Sequence, residues 1–171
     1  MRAVIFGNSG SGKSTMAKAY ARIFSAPVLD LDTIAWNPEN PRIRDELTVS
    51  SGKLEVFMKA HQDWIVEGCY ADLVSVASDF ATDLVFLNPG IQACIDNCKS
   101  RPWEAHKYSS QQAQDKNLEM LIGWVADYEV REDEYSLAEH RQVFEEFAGQ
   151  KVELSSNELA NEHLQALKNS G

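Results

Sequence analysis

Positive charge is in short supply in this sequence. Its 16 Lys and Arg stand against 26 Asp and Glu, a formal net charge of −10 over 171 residues. That balance excludes a general nucleic-acid or anionic-membrane binder, which would need a broad basic surface. Long apolar runs are missing too: nowhere do about 18 apolar residues follow one another, so no segment reads as a membrane span. Apolar residues of β type begin at Ala3, so no signal peptide is expected. Cysteine is scarce. Cys69, Cys94 and Cys98 are odd in number and lack framework spacing, which suits a reduced cytosol. Cys94 and Cys98 fall one helical turn apart beside Ile91 and Ile95, and no second Cys/His pair has zinc-site spacing, so both read as core. Repeats, low-complexity tracts and linkers are absent. The chain therefore predicts a single cytoplasmic domain over 1–171, a monomer or weak dimer.

What is present is concentrated at the start. Gly7-Asn8-Ser9-Gly10-Ser11-Gly12-Lys13-Ser14-Thr15 fits the phosphate-binding P-loop, two glycines separated by four residues and followed by Lys and Ser. Ala3 to Phe6 before it is strand-like, and Met16, Ala17, Tyr20, Ala21 and Phe24 after it recur at helical spacing. Glycines in this loop permit positive φ and remove the Cβ atoms that would block a phosphate. Backbone N–H groups and the helix N-terminus then form an anion nest. Lys13 is placed for the β- and γ-phosphates of ATP and the Ser14 hydroxyl for Mg²⁺.

Further along, Val28 to Asp32 predicts a second strand ending in Asp-x-Asp. Its carboxylates are either solvated strand-end residues or a functional pair, Asp30 near Mg²⁺ and Asp32 orienting an acceptor hydroxyl. A small covering insert is expected over about 33–62, a loop from Thr33 to Pro41 followed by a helix carrying Leu54, Phe57, Met58 and His61. Trp64 to Val66 predicts a third strand running into Glu67 and Gly68. Glu67 is a supporting or acceptor-binding carboxylate, or a turn residue; Gly68 allows a tight turn or a close backbone approach by a ligand. After a fourth strand, Leu84 to Leu87, Asn88 is expected to cap a helix that starts at Pro89. Lys99, Arg101 and Lys107 beyond it make either a solvated turn or a lid over about 99–112 that closes cations onto phosphates. An apolar stripe of Leu118, Leu121, Ile122 and Val125 predicts a helix to about Tyr128. Capping boxes at Ser136/Glu139 and Ser155/Glu158 open the last helices, with Lys151 to Leu154 as a fifth strand between them. His140 and His163 read as helix-surface or boundary residues.

Strands alternating with helices, an early P-loop, an insert after strand two and a lid after strand four resemble the nucleoside-monophosphate and shikimate kinase group. Asp30-x-Asp32, Arg101-Pro102 and Arg131 are similar to that group's acidic pair, lid arginine and later substrate-binding arginine. Leu29-Asp30-Leu31-Asp32…Trp36 and Trp64 to Tyr70 resemble its topology-modulation, adenylate-kinase-like branch. The chain departs from shikimate kinases in having Glu67-Gly68-Cys69 where they carry a glycine triplet, and in showing no insert-helix arginine. The resemblance implies a three-layer P-loop fold with a five-stranded parallel sheet. It also implies ATP- and Mg²⁺-dependent transfer to the hydroxyl of a small-molecule acceptor, with Asp32, Glu67, Gly68 and Arg131 on the acceptor side and Lys13, Arg101 and Arg131 on the transferring charge. A nucleoside or nucleotide kinase and a regulatory P-loop ATPase are the alternatives.

Overall fold

The computed structural model describes residues 1–40, 42–103 and 109–170. β1 (Arg2–Gly7) reads as a continuous apolar run because both its faces are covered. Val4 and Phe6 enter one core, Ala3 and Ile5 the other, and all four are fully buried. α1 (Lys13–Phe24) leads back to β2 (Val28–Asp30), and α2 (Asp32–Ala35) and α3 (Leu47–Ala60) lead on to β3 (Trp64–Gly68). α4 (Ala71–Ser78), β4 (Asp83–Leu87), α5 (Ile91–Lys99) and α6 (Gln111–Ala126) follow, then a 3-10 turn over Asp127–Glu129. α7 (Leu137–Glu146), β5 (Gln150–Leu154) and α8 (Asn157–Ser170) complete the chain. Among the described residues the strands form one parallel, five-stranded sheet, ordered β2-β3-β1-β4-β5. The strand order reverses beside β1, so a crevice opens where β1 ends and the P-loop begins.

Helices cover both faces, giving the expected three layers. Leu54, Met58, Leu73, Val74 and Ala77 from α3 and α4 pack on Val4, Phe6, Val66 and Phe86, with Val143 and Phe144 of α7 beside them. Met16, Ala17 and Tyr20 of α1 and Leu164 and Leu167 of α8 pack on Ala3, Ile5, Ile65 and Val85. Phe6 and Phe86 stack across neighbouring strands with ring centres 4.9 Å apart. Truncating either to Ala would cost about 3–5 kcal/mol. A smaller cluster holds α5 to α6 through Cys94, Cys98 and Val125, so both cysteines are core residues as expected. No helix among the described residues is long and apolar enough to cross a membrane.

Several expected boundaries move, each because a side chain is engaged elsewhere. β2 stops at Asp30 and Asp32 opens α2, because the Asp30 carboxylate accepts from the Asp32 amide at 2.9 Å and turns the chain out of the sheet. The segment after it is not all loop: α2 precedes an antiparallel bridge between Trp36 and Arg44. Asn88 does not cap α5. Its amide donates to Glu153 at 3.0 Å, and the helix starts at Ile91 behind Gly90. Ser136 caps α7 as expected, accepting from the Glu139 amide at 3.1 Å, but at α8 the cap is Ser156 rather than Ser155. In the expected lid, Lys107 lies outside the described residues; Ser110 caps α6, so Gln111 and Gln112 are helical.

His140 is the largest departure. It is no surface residue but fully buried on α7, edge-on to Phe6 and Phe86. Its Nε2 lies 2.9 Å from the Cys69 carbonyl and its Nδ1 2.7 Å from the Tyr128 hydroxyl. Burial pushes its pKa down from 6.5 to about 4. A depressed histidine takes up its proton in the unfolded chain first, so stability is lost as pH falls from 6.5 towards 4. Between pH 7 and pH 5 the wild type should lose about 2 kcal/mol more than His140→Gln. Urea unfolding of both proteins at the two pH values checks this; equal losses would show that the ring ionises in the fold.

Candidate active site

The P-loop follows β1 directly, and its shape is enforced from below. Gly7, Gly10 and Gly12 all have positive φ. At Gly10 (φ +80) a Cβ would sit 2.3 Å from the Cys94 carbonyl and 2.7 Å from Cys98 Sγ, so only glycine lets the loop rest on α5. The Asn97 side chain donates to the Gly10 carbonyl at 2.9 Å, and Asn8 donates to the Val125 carbonyl at 3.1 Å, fixing the loop to α5 and α6. Lys13 and Ser14 are the first residues of α1. Lys13 Nζ donates to the Asn8 carbonyl at 2.8 Å. Backbone N–H groups at this helix start and the lysine supply positive potential without an acidic residue in the first turn.

Parallel register brings the carboxylates to this loop. Glu67 pairs with Ile5 of β1 on one side and Asp30 of β2 on the other. Its side chain reaches α1, where the Ser14 hydroxyl donates to Glu67 Oε1 at 2.7 Å. Glu67 is only 4% exposed; burial raises its pKa, against Lys13 and the Ser14 hydrogen bond, which lower it. The sequence left Glu67 as a supporting carboxylate, an acceptor-binding carboxylate or a turn residue; in the structure its carboxylate is buried against Ser14 at the start of α1. Asp32 accepts from the Tyr70 hydroxyl at 2.5 Å, and the Trp36 indole donates to the same hydroxyl at 2.8 Å. At Gly68 a Cβ would lie 2.7 Å from the Leu31 side chain, so what comes close to this glycine is Leu31. Cys69 beside it is a thiol, pushed up to about 12 by burial.

Ser9 through Thr15, Asp30, Asp32, Glu67, Gly68 and Arg101 line one cavity of about 640 Å³. Gly7 and Asn8 form its floor support rather than its lining, and Asn8 is buried. Arg131 is not part of it. Its guanidinium donates to Asp133 at 2.7 Å and lies 4.1 Å over the Trp124 ring and 5.4 Å from that of Tyr135. Across Tyr135 stands Arg44, 5.1 Å from the Tyr70 ring, bonded to both oxygens of Asp72 at 2.7 Å and to Glu134. Arg44 Nε and Arg131 Nε and Nη1 are buried without a hydrogen-bond partner among the described residues. The sequence held no signal for Arg44, whose partners are 28 and 90 residues away. No group of three metal-binding side chains occurs among the described residues. Mg²⁺ does not require one, since in phosphate sites it takes one or two carboxylates and keeps water and phosphate oxygens. The Ser14 hydroxyl with Glu67 and Asp30 fits that demand.

No protein-family model matches the chain, and no curated protein matches it in sequence. Solved structures do match its fold. A gluconokinase from Sinorhizobium meliloti aligns with TM-score 0.54 and 17% identity over 98% of this chain and 91% of its own. Shikimate kinase from Acinetobacter baumannii, in complex with shikimate, gives 0.51 and 16% over 98% and 93%. Deoxyadenosine kinase from M. mycoides, with bound dATP, gives 0.55 and 13% over 99% and 98%. At such identities the likeness is one of fold, and the fold is the α/β P-loop fold of these kinases.

Gly10→Ala tests the loop's support. Left-handed backbone costs an L-residue about 1–2 kcal/mol before any clash with Cys94. The melting temperature should fall by at least about 2–4 °C, and ADP affinity with it. Gly52→Ala in α3, where a Cβ meets nothing within 4 Å, should not destabilise. Unchanged melting and ADP affinity in Gly10→Ala would mean that the loop does not rest on α5.

Proposed function

We propose that the chain is an ATP- and Mg²⁺-dependent phosphotransferase that passes the γ-phosphoryl group to a hydroxyl of a small molecule. The observation that carries this reading is the joint presence of Lys13, Ser14, Glu67 and Asp32 on one cavity, phosphate-binding groups and an acceptor-side carboxylate facing the same space. P-loop amides and Lys13 bind the phosphates, and Ser14 and Glu67, with Asp30 beside them, hold the metal. Bound there, the ion would neutralise charge between the β- and γ-phosphates. Asp32 accepts the proton of the attacking hydroxyl, and Arg101 meets charge on the transferring group. Tyr70 keeps one oxygen of Asp32 occupied, which orients the carboxylate. Arg131 takes no part in this scheme, since its guanidinium packs on Trp124 and Tyr135 and bonds to Asp133 outside the cavity.

A nucleoside acceptor is the second reading. Trp36, exposed and bonded to the same Tyr70 hydroxyl that donates to Asp32, offers a ring face for a base. The deoxyadenosine kinase match supports it; the gluconokinase and shikimate kinase matches support hydroxy-acid acceptors. A metabolite panel of sugar acids, cyclic hydroxy acids and nucleosides with ADP release as readout decides between them. One accelerating acceptor identifies the class, and slow hydrolysis insensitive to every acceptor would instead mark a regulatory ATPase.

Glu67 and Asp32 should separate by mutation. Glu67→Gln should raise the Mg²⁺ concentration needed for half-maximal turnover by about tenfold or more. Asp32→Asn should lower acceptor-dependent transfer by about 10²–10⁴ while basal hydrolysis falls far less. Lys13→Ala should lower both by about 10²–10³. Mg²⁺ titrations and paired transfer and hydrolysis assays give the result, and equal losses for Glu67→Gln and Asp32→Asn in every assay would reject the division of roles.

A further inference from the structure

The turn that leaves β3 is held by several different parts of the molecule. The Glu67 carbonyl accepts from the Leu31 amide at 2.9 Å while its carboxylate accepts from Ser14. Tyr70 donates to Asp32, and the Ala71 amide donates to the Glu134 carbonyl at 2.8 Å. Between them the Cys69 carbonyl points into the protein and meets His140 Nε2 at 2.9 Å. A carbonyl can only accept, so Nε2 carries the proton. A buried neutral imidazole then has a bare Nδ1, which accepts from the Tyr128 hydroxyl at 2.7 Å. Both nitrogens are satisfied by protein, in one tautomer.

Tyr128 sits in the 3-10 turn that closes α6, three residues after Val125, whose carbonyl holds Asn8 of the P-loop. One end of α6 is thus bonded to the phosphate loop through Asn8 and to the β3 turn through Tyr128 and His140. Phe6 and Phe86 fix the imidazole edge-on between these contacts. Packing alone calls for no polar ring here, and phenylalanine would leave the Cys69 carbonyl and the Tyr128 hydroxyl unpaired.

We propose that His140 is a positioning residue for phosphoryl transfer: through the Cys69 carbonyl it fixes the turn that presents Glu67 to Ser14 and Tyr70 to Asp32, in register with the P-loop through α6. The inference rests on the transferase reading above. His140 touches no reacting group; it acts through the turn.

The experiment compares His140→Phe, His140→Gln and Tyr128→Phe with the wild type. Mg²⁺-dependent ATP turnover with water as acceptor needs no identified substrate, and calorimetry gives the Kd for ADP. His140→Phe should lower kcat by about 10²-fold, the loss expected when a reacting geometry shifts by about an ångström. Its Kd for ADP should change by less than about threefold, because the phosphate loop keeps its contacts with α5. His140→Gln, whose amide can donate to Cys69 and accept from Tyr128, should recover most of the loss. Hydrogen exchange should quicken at the Leu31 and Ala71 amides of His140→Phe and not along α8. Imidazole ¹⁵N spectra of the wild type should show the Nε2–H form alone. Equal turnover losses in the Phe and Gln variants, loss of ADP affinity in step with kcat, exchange quickened everywhere, or an Nδ1–H ring would each overturn the proposal. Should His140→Phe not fold, the ¹⁵N spectra and Tyr128→Phe, expected to lose turnover with ADP affinity kept, still decide it. Wild type that binds no ADP would sink the transferase reading, while the exchange and ¹⁵N results would still judge the turn.

Discussion

A hydrogen bond of 2.7 Å from Ser14 to Glu67 joins the two halves of this site. Ser14 belongs to the first turn of α1, Glu67 to the end of β3, and only the parallel pairing of β1 with β3 sets them side by side. Buried carboxylates are stable only with charged or hydrogen-bonding partners. Here Ser14 and Lys13 are those partners, while burial works against the charged form. The same contact that stabilises the sheet edge thereby fixes where a carboxylate meets the phosphate loop. Asp30 and Asp32 take their positions from it in turn, because the Leu31 amide between them donates to the Glu67 carbonyl.

Support for the loop comes from the other side of the sheet's end. Gly10 rests on α5 and Asn8 is bonded to α6, so the loop between β1 and α1 is held by helices rather than by loop contacts alone. α5 and α6 in turn share a small apolar cluster that includes both buried cysteines. Both cysteines bear on the loop, since a Gly10 Cβ would strike the Cys94 carbonyl oxygen first and Cys98 Sγ next. Preorganisation of this kind matters because donors that are already aimed need no reorganisation when charge develops.

How much could be read from the sequence follows from how local each feature is. The P-loop is contiguous, its glycines dictate its backbone, and its strand and helix lie within about one turn of it, so loop, order of elements and fold class were legible together. Ser136 was legible as a cap for the same reason. Glu67 was ambiguous because its meaning depends on strand register, which a single strand does not encode. Arg44 was invisible because its partners Asp72 and Glu134 come from distant segments, and Arg131 was assigned to a cavity that it does not line. His140 was misread because Glu139, Arg141 and Gln142 around it make that turn of α7 look exposed. Only the tertiary fold brings Phe6, Phe86, Tyr128 and the Cys69 carbonyl to one side of the helix. Asn88 likewise looked like a cap until Glu153, 65 residues on, supplied a stronger partner.

The acidic edge also constrains how a nucleotide can enter under the proposed function. Asp30, Asp32 and Glu67 face the same cavity as the phosphate loop, in a chain that carries a net charge of −10. Free triphosphate would bring its own negative charge against three carboxylates, and inside a partly closed cavity such repulsion is screened far less than in water. Lys13 and the amides of the loop offset only the part of that charge next to α1. Held by Ser14 and these carboxylates, a divalent cation would offset that repulsion. The acidic pair and Glu67 therefore suit a metal–nucleotide complex better than the bare nucleotide. Arg101 lines the same cavity and, under the same proposal, would meet charge that the cation does not reach.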